Sequence, residues 1–117
     1  MEVTINNYTF QLTPAEFRAW LNSKPEGFNC AKRDPCSCPM AMFFYEKGGG
    51  DPSGKKHFWI SVSPEDVTVG KPDGARSKSL KIDLPFWARV FVHTWDHVDL
   101  IGSRQGMLES LDKAEAL

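Results

Sequence analysis

The feature that most constrains this chain is a helix start at Thr13. Thr13 can accept a hydrogen bond from the backbone N–H of Glu16, and Pro14 suits the first helical position because proline has no N–H to leave unpaired. The Thr-x-x-Glu spacing forms a capping box, while Leu12 and Phe17 form a hydrophobic pair that packs the preceding chain against the first turn. Together these signals fix where the first helix begins.

This first helix is predicted to span residues 13–22. Phe17, Trp20 and Leu21 repeat at helical spacing, so they share one face and should lie in the core. Pro25 follows soon after the pattern ends, and a proline there prevents the helix from continuing.

The residues before the helix predict a β-hairpin over 2–11. Apolar side chains alternate with polar ones along both arms, at Val3, Ile5, Tyr8 and Phe10. Asn6 and Asn7 stand between the arms, and asparagine tolerates the positive φ that a two-residue hairpin turn requires.

A second helix is predicted after a loop over residues 23–36. Pro39 suits its first position, the run Met40–Tyr45 is wholly apolar or aromatic, and Gly48–Gly50 ends it. Because such a helix is apolar on most sides, it should be largely buried.

After a flexible loop over 48–56, the next segment predicts a small antiparallel meander. Its strand signals are, in chain order, His57–Val62, Val67–Val69, and the alternating residues around Leu80 and Ile82. Lys71–Gly74 has the Pro-Asp-Gly chemistry of a turn, which separates the second strand from the third.

Two helices are predicted to close the chain. The first runs from Pro85 to about Asp99, with an inner face formed by Trp87, Phe91, Thr94, Trp95 and Val98. After Gly102, Ser103 can cap a last helix that carries Met107, Leu108, Leu111 and Ala114. The expected fold class is therefore α+β: a hairpin, two short helices, an antiparallel meander and two C-terminal helices.

Composition favours one globular domain over residues 1–117, since 41% of the chain is hydrophobic and 25% is charged. With 14 basic and 15 acidic residues the net charge is -1, which excludes a protein that binds nucleic acid through bulk positive charge. We find no signal-peptide pattern and no apolar run long enough for a membrane helix. The three cysteines lie in one short segment, so we expect reduced thiols and a cytoplasmic protein.

Two short motifs resemble those of small bacterial and phage-type proteins. Cys38-Pro39-Met40-Ala41 is similar to their CP(L/I/M)A helix start, and the segment from Leu84-Pro85-x-Trp87 to Phe91-Val92-x-x-Trp95-Asp96 is similar to their LPxW…FVxxVD helix, with Trp95 in place of valine. The resemblance covers about residues 38–117. It implies bacterial, phage or mobile-element coding, and it assigns no activity, cofactor or catalytic residue.

The cysteine segment is a candidate metal or redox site. Cys30, Cys36 and Cys38 could supply thiolate ligands to zinc, with His57 as the fourth ligand. Alternatively, a thiol at the helix start near Lys32 and Arg33 could have a lowered pKa and be reactive. The third interpretation, which we prefer, is that Cys38 packs as a small apolar residue and the other two cysteines lie in a loop.

His93 and His97 form a second candidate, because histidines four apart share one face of a helix and can chelate a metal. The pattern resembles the H-x-x-E-H metalloprotease signature, but Asp96 replaces the catalytic glutamate. We favour a helix whose solvated face carries the two histidines, with Trp87 and Phe91 inside.

Charge is divided along the chain. Residues 47–81 hold seven basic and four acidic residues, whereas residues 82–117 hold three basic and six acidic residues. The basic half offers a candidate partner-binding patch made of Lys55, Lys56, Trp59, Lys71, Arg76 and Lys78.

These observations favour a small non-catalytic binding or regulatory protein that acts through a protein–protein surface, such as a host-factor or defence modulator encoded by a phage or mobile element. We expect a protein partner and no membrane, with no cofactor. The alternatives are a zinc- or redox-responsive cysteine protein and a weak nucleic-acid-binding module that uses Trp59 and the nearby lysines. The sequence contains no complete nucleophilic triad or phosphate loop, which favours binding over catalysis.

Overall fold

The computed structural model describes residues 1–30, 37–50, 58–70, 79–97 and 103–117. The elements are β1 (Glu2–Ile5), β2 (Tyr8–Gln11), α1 (Pro14–Asn22), α2 (Pro39–Lys47), β3 (Trp59–Val62), β4 (Asp66–Gly70), β5 (Leu80–Asp83), α3 (Phe86–His97) and α4 (Arg104–Glu115). β1 and β2 form a hairpin, and β3, β4 and β5 form an antiparallel sheet in that order. The predicted α+β class and order of elements are confirmed.

The hairpin turns where the asparagine pair predicts it. Asn6 and Asn7 have φ values of 51° and 68°, the left-handed region that a two-residue turn needs. Val3 pairs with Phe10 across the strands, and both side chains are buried. Tyr8 is exposed, but its ring lies over Gly49. A Cβ on residue 49 would collide with that ring.

Helix α1 begins with the predicted cap. The Thr13 hydroxyl accepts a hydrogen bond from the Glu16 backbone N–H at 3.2 Å. Phe17, Trp20 and Leu21 are all buried, as the helical spacing predicts.

Helix α2 is capped by a cysteine. The Cys38 Sγ accepts a hydrogen bond from the Ala41 backbone N–H at 3.4 Å, and the residue is buried. The side chain therefore packs as a small apolar group and also satisfies one N–H at the helix start. At the other end the helix stops at Gly48, and the next residue, Gly49, has a left-handed φ of 86°.

The three-stranded sheet has one buried face. Ile60 pairs with Val69 and Val62 pairs with Val67, and all four side chains are buried. Leu80 lies on the same face opposite Val69, yet it is 47% exposed. The alternating pattern therefore predicts the strand but not the burial of Leu80. Helix α2 packs on β3, and β5 lies at the opposite edge of the sheet, so this helix does not cover Leu80.

The C-terminal helices differ from expectation at their starts. Helix α3 begins at Phe86, and the Pro85 carbonyl accepts hydrogen bonds from the backbone N–H groups of Ala88 and Arg89. Trp87 is half-buried, Phe91 is buried, and Val98 lies outside the described residues. Ser103 precedes α4 as predicted, but its hydroxyl makes no capping bond and is buried without a partner among the described residues.

The centre of the core is a cluster of aromatic rings around Phe17. The Phe17 ring lies 5.2 Å from Phe43 of α2, 4.8 Å from Phe91 and 5.9 Å from Trp87 of α3, and 5.7 Å from Trp20 of its own helix. Most of these pairs have the edge-to-face or tilted geometry that aromatic rings prefer. One side chain therefore joins three of the helices.

Replacing Thr13 with alanine should lower the free energy of unfolding by about 1 kcal/mol, because the Glu16 N–H loses its acceptor. Ser103→Ala is the matched control at another helix start. Because the Ser103 hydroxyl has no hydrogen-bond partner among the described residues, its removal should cost nothing or stabilise the fold. Urea denaturation measures both changes, and equal losses in the two variants would contradict the assignment of caps.

Candidate partner-binding surface

The second face of the three-stranded sheet carries mostly polar side chains. Because successive residues of a strand point to opposite faces, the strand register places these residues together on the side away from the core. We call this surface the open sheet face; it consists of Trp59, Ser61, Asp66, Thr68, Gly70, Lys81 and Asp83.

Trp59 is the aromatic residue of the open sheet face. It pairs with Gly70 across the strands, and its indole occupies the space that a Cβ on Gly70 would fill. The glycine thus allows the ring to lie directly on β4, while 39% of Trp59 remains exposed. An exposed aromatic side chain fixed in this way loses little conformational entropy when it binds a partner.

Among the described residues of the open sheet face, Lys81 carries the positive charge. Its Nζ lies 3.2 Å from Asp66 Oδ2, and the side chain is largely exposed. Asp66 is further held by the Ser63 hydroxyl, which donates to its Oδ1 at 3.2 Å. The Lys81 side chain therefore keeps most of its surface in solvent, although the Asp66 side chain that it pairs with is largely buried.

The predicted basic residues belong to two segments that join the sheet at one end. Residues 51–57 lead into the start of β3, whereas residues 71–78 connect the end of β4 with the start of β5. Since Trp59 pairs with Gly70 and Leu80 with Val69, both segments attach at the end of the sheet where Trp59 lies. The five basic members themselves lie outside the described residues: Lys55, Lys56, Lys71, Arg76 and Lys78.

The cysteine segment is only partly described. Cys30 is a half-buried free thiol, and burial, with a smaller contribution from Cys38 nearby, raises its pKa to about 12. A raised pKa opposes the reactive thiolate that a redox role would need at Cys30. Cys36 and His57 lie outside the described residues, so the proposed zinc ligand set stays a prediction. The described part of the chain holds no group of three or more potential ligands.

A polar cluster beside Cys30 ties the helices together. The Trp20 Nε1–H donates to Glu46 at 2.6 Å, and the Lys24 ammonium pairs with the same carboxylate at 2.7 Å. Lys24 also lies over the Trp20 ring, 4.9 Å from its centroid, and its backbone carbonyl accepts from Arg104 of α4. We assign this cluster a structural role, because its contacts connect α1 and the residues that follow it with α2 and α4.

Helix α3 places its histidines in solvent, as predicted. His93 and His97 are both exposed and Asp96 is half-buried, while Phe91 lies in the core. Since the described residues offer the two histidines no third ligand, they do not reproduce the three-ligand site of a metalloprotease.

Sequence reasoning identified Trp59 but missed Gly70, on which its indole lies, and Lys81 on the same face of the sheet. Gly70 ends the second strand pattern and Lys81 alternates with Leu80 and Ile82, so strand alternation alone could have placed both on the polar face. The pairing of Trp59 with Gly70 needs the strand register, which a single sequence does not specify.

No family model matches this chain, and no curated protein or solved structure matches it either.

Within the described segments, none of the helices is both long enough and apolar enough to cross a bilayer.

Replacing Gly70 with alanine should displace the Trp59 indole, because the new Cβ would occupy the position of the ring. In ¹H–¹⁵N spectra we expect the Trp59 indole signal to move while those of the other three tryptophans stay in place. Thr68→Ala is the control on the same face of β4, and it should leave the Trp59 signal unchanged. An unmoved Trp59 signal in Gly70→Ala would contradict the packing described here.

Cys30 should react slowly with iodoacetamide in the folded protein at pH 7. A pKa of about 12 reduces its thiolate fraction roughly a thousandfold relative to a thiol with a pKa of 9. The measurement is peptide mapping by mass spectrometry in chelator-containing buffer, with the urea-unfolded chain as control. Alkylation of Cys30 as fast in the folded protein as in urea would refute the burial effect.

Proposed function

We propose that this protein is a non-catalytic binding module that recognises a protein partner through the open sheet face and the two segments joined to its Trp59 end. The observation that carries the proposal is the indole of Trp59, fixed against Gly70 and partly exposed. Tryptophan, with tyrosine and arginine, is enriched among the side chains that dominate binding energy at protein interfaces.

The partner surface should be acidic. The two segments, residues 51–57 and 71–78, carry five basic and two acidic residues, and they meet the sheet beside Trp59. Complementary charge would speed association and orient the partner, while Trp59 would supply the apolar contact at the centre. The opposite charge of residues 82–117 adds to this orientation.

The proposal includes a cellular setting. Action in the cytoplasm agrees with the free thiol of Cys30, and coding by a bacterium, phage or mobile element agrees with the motifs at Cys38 and Leu84. A regulatory role against a host factor is the function that such a module would serve.

Substitutions at the proposed surface should weaken partner capture by the full-length protein without unfolding it. Trp59→Ala removes the apolar contact, and reversal of Lys71, Arg76 and Lys78 to glutamate removes the positive charge. We expect each change to lower the affinity for the partner by about tenfold or more. The loss of affinity caused by the charge reversal should be larger at low salt than at high salt, because salt screens charge interactions.

The matched controls lie elsewhere on the molecule. Phe86→Ala removes another exposed aromatic residue, and Lys113→Glu reverses the charge of an exposed lysine on α4, so neither should change capture. Capture should also survive nuclease treatment. If the Trp59 and charge variants instead lose affinity for single-stranded oligonucleotides and bind no protein, the protein-partner proposal is wrong and nucleic-acid binding replaces it.

A further inference from the structure

The exposed side of α3 carries a pair of histidines that the proposed binding function does not use. His93 and His97 are separated by one helical turn, and their ring centroids are 4.5 Å apart. We propose that these two imidazoles form a chelating site for a borderline divalent transition metal such as Ni²⁺, Cu²⁺ or Zn²⁺, bound once per chain.

The geometry suits two ligands on one metal. Metal–imidazole bonds are about 2.0–2.1 Å long, so two nitrogens bound to the same ion lie about 3 Å apart. Rings whose centroids are 4.5 Å apart reach that separation by small rotations about the side-chain torsions. Because both side chains are exposed, neither rotation disturbs the core.

The helix holds the two ligands in place. Phe91, Val92 and Trp95 are buried between and around the histidine positions, which fixes this stretch of α3 against the core. The backbone spacing of the ligands is therefore set before a metal arrives, and little entropy is lost in bringing them together.

The donor set selects the class of metal. Neutral imidazole nitrogens suit zinc, copper and nickel, whereas calcium and magnesium require oxygen ligands. Two protein ligands leave several coordination positions open, so the ion would remain accessible to water and to a donor from another molecule. Copper should bind more tightly than nickel, in the usual order for such sites.

The test is a titration of the tag-free, full-length protein with NiCl₂ in the presence of a phosphine reductant, which keeps the cysteines reduced without adding thiol ligands for the metal. Ni²⁺ is paramagnetic, so ¹H–¹⁵N spectra should show amide signals broadened around residues 93–97. His93→Gln and His97→Gln should each weaken Ni²⁺ binding by at least about tenfold, since even the loss of a residue that only supports a ligand costs 10–100-fold.

His57→Gln is the matched control, because His57 is the only other histidine of the chain. It should leave both the affinity and the broadening around α3 unchanged. Since His93 and His97 are exposed, their variants should keep the unfolding temperature of the metal-free protein and lose the increase that Ni²⁺ gives the unmodified chain.

Three results would overturn the inference. They are Ni²⁺ affinity unchanged in both α3 variants, broadening centred on the cysteine segment instead of α3, and loss of binding in His57→Gln. None of these depends on the partner surface, because Trp59→Ala should leave Ni²⁺ binding unaltered.

Discussion

The contact of Phe17 with its neighbouring rings is the interaction on which the rest of the structure depends. Its ring meets α2 through Phe43 and α3 through Phe91, and Phe43 in turn contacts Phe10 of the hairpin. Residues far apart in sequence are thereby held around one side chain that is wholly buried. A residue of this size buries enough apolar surface to contribute several kcal/mol, so its loss would loosen three helices and the hairpin at once.

Polar contacts then fix how the helices lie on this cluster. The Glu46 carboxylate accepts hydrogen bonds from the Trp20 indole N–H and the Lys24 ammonium. The Arg104 guanidinium donates to the Lys24 backbone carbonyl. On the other side, Arg18 pairs with Asp112 of α4 at 2.7 Å. Hydrogen bonds are directional, so contacts of this kind select one arrangement among several that would bury similar apolar area.

The same packing leaves exposed the two surfaces for which we propose binding. The sheet gives one face to the core, and the other keeps Trp59 in place by means of Gly70. Helix α3 similarly buries Phe91 and leaves His93 and His97 in solvent. In both cases a regular element supported by the core presents side chains in a fixed geometry, which is the arrangement that precise recognition requires.

The sequence by itself determined the features whose partners lie within a few residues. Thr13 and Glu16, the Asn6-Asn7 turn and the glycines after α2 act locally, so the hairpin and the first two helices could be predicted from the chain. Only the tertiary structure decided what depends on distant residues: the exposure of Leu80 at a sheet edge, the packing of the Trp59 indole on Gly70, and the burial of a Ser103 hydroxyl that has no partner among the described residues. Alternation along a strand and spacing along a helix specify which side chains share a face. Which face is covered, and by what, follows from how the elements pack.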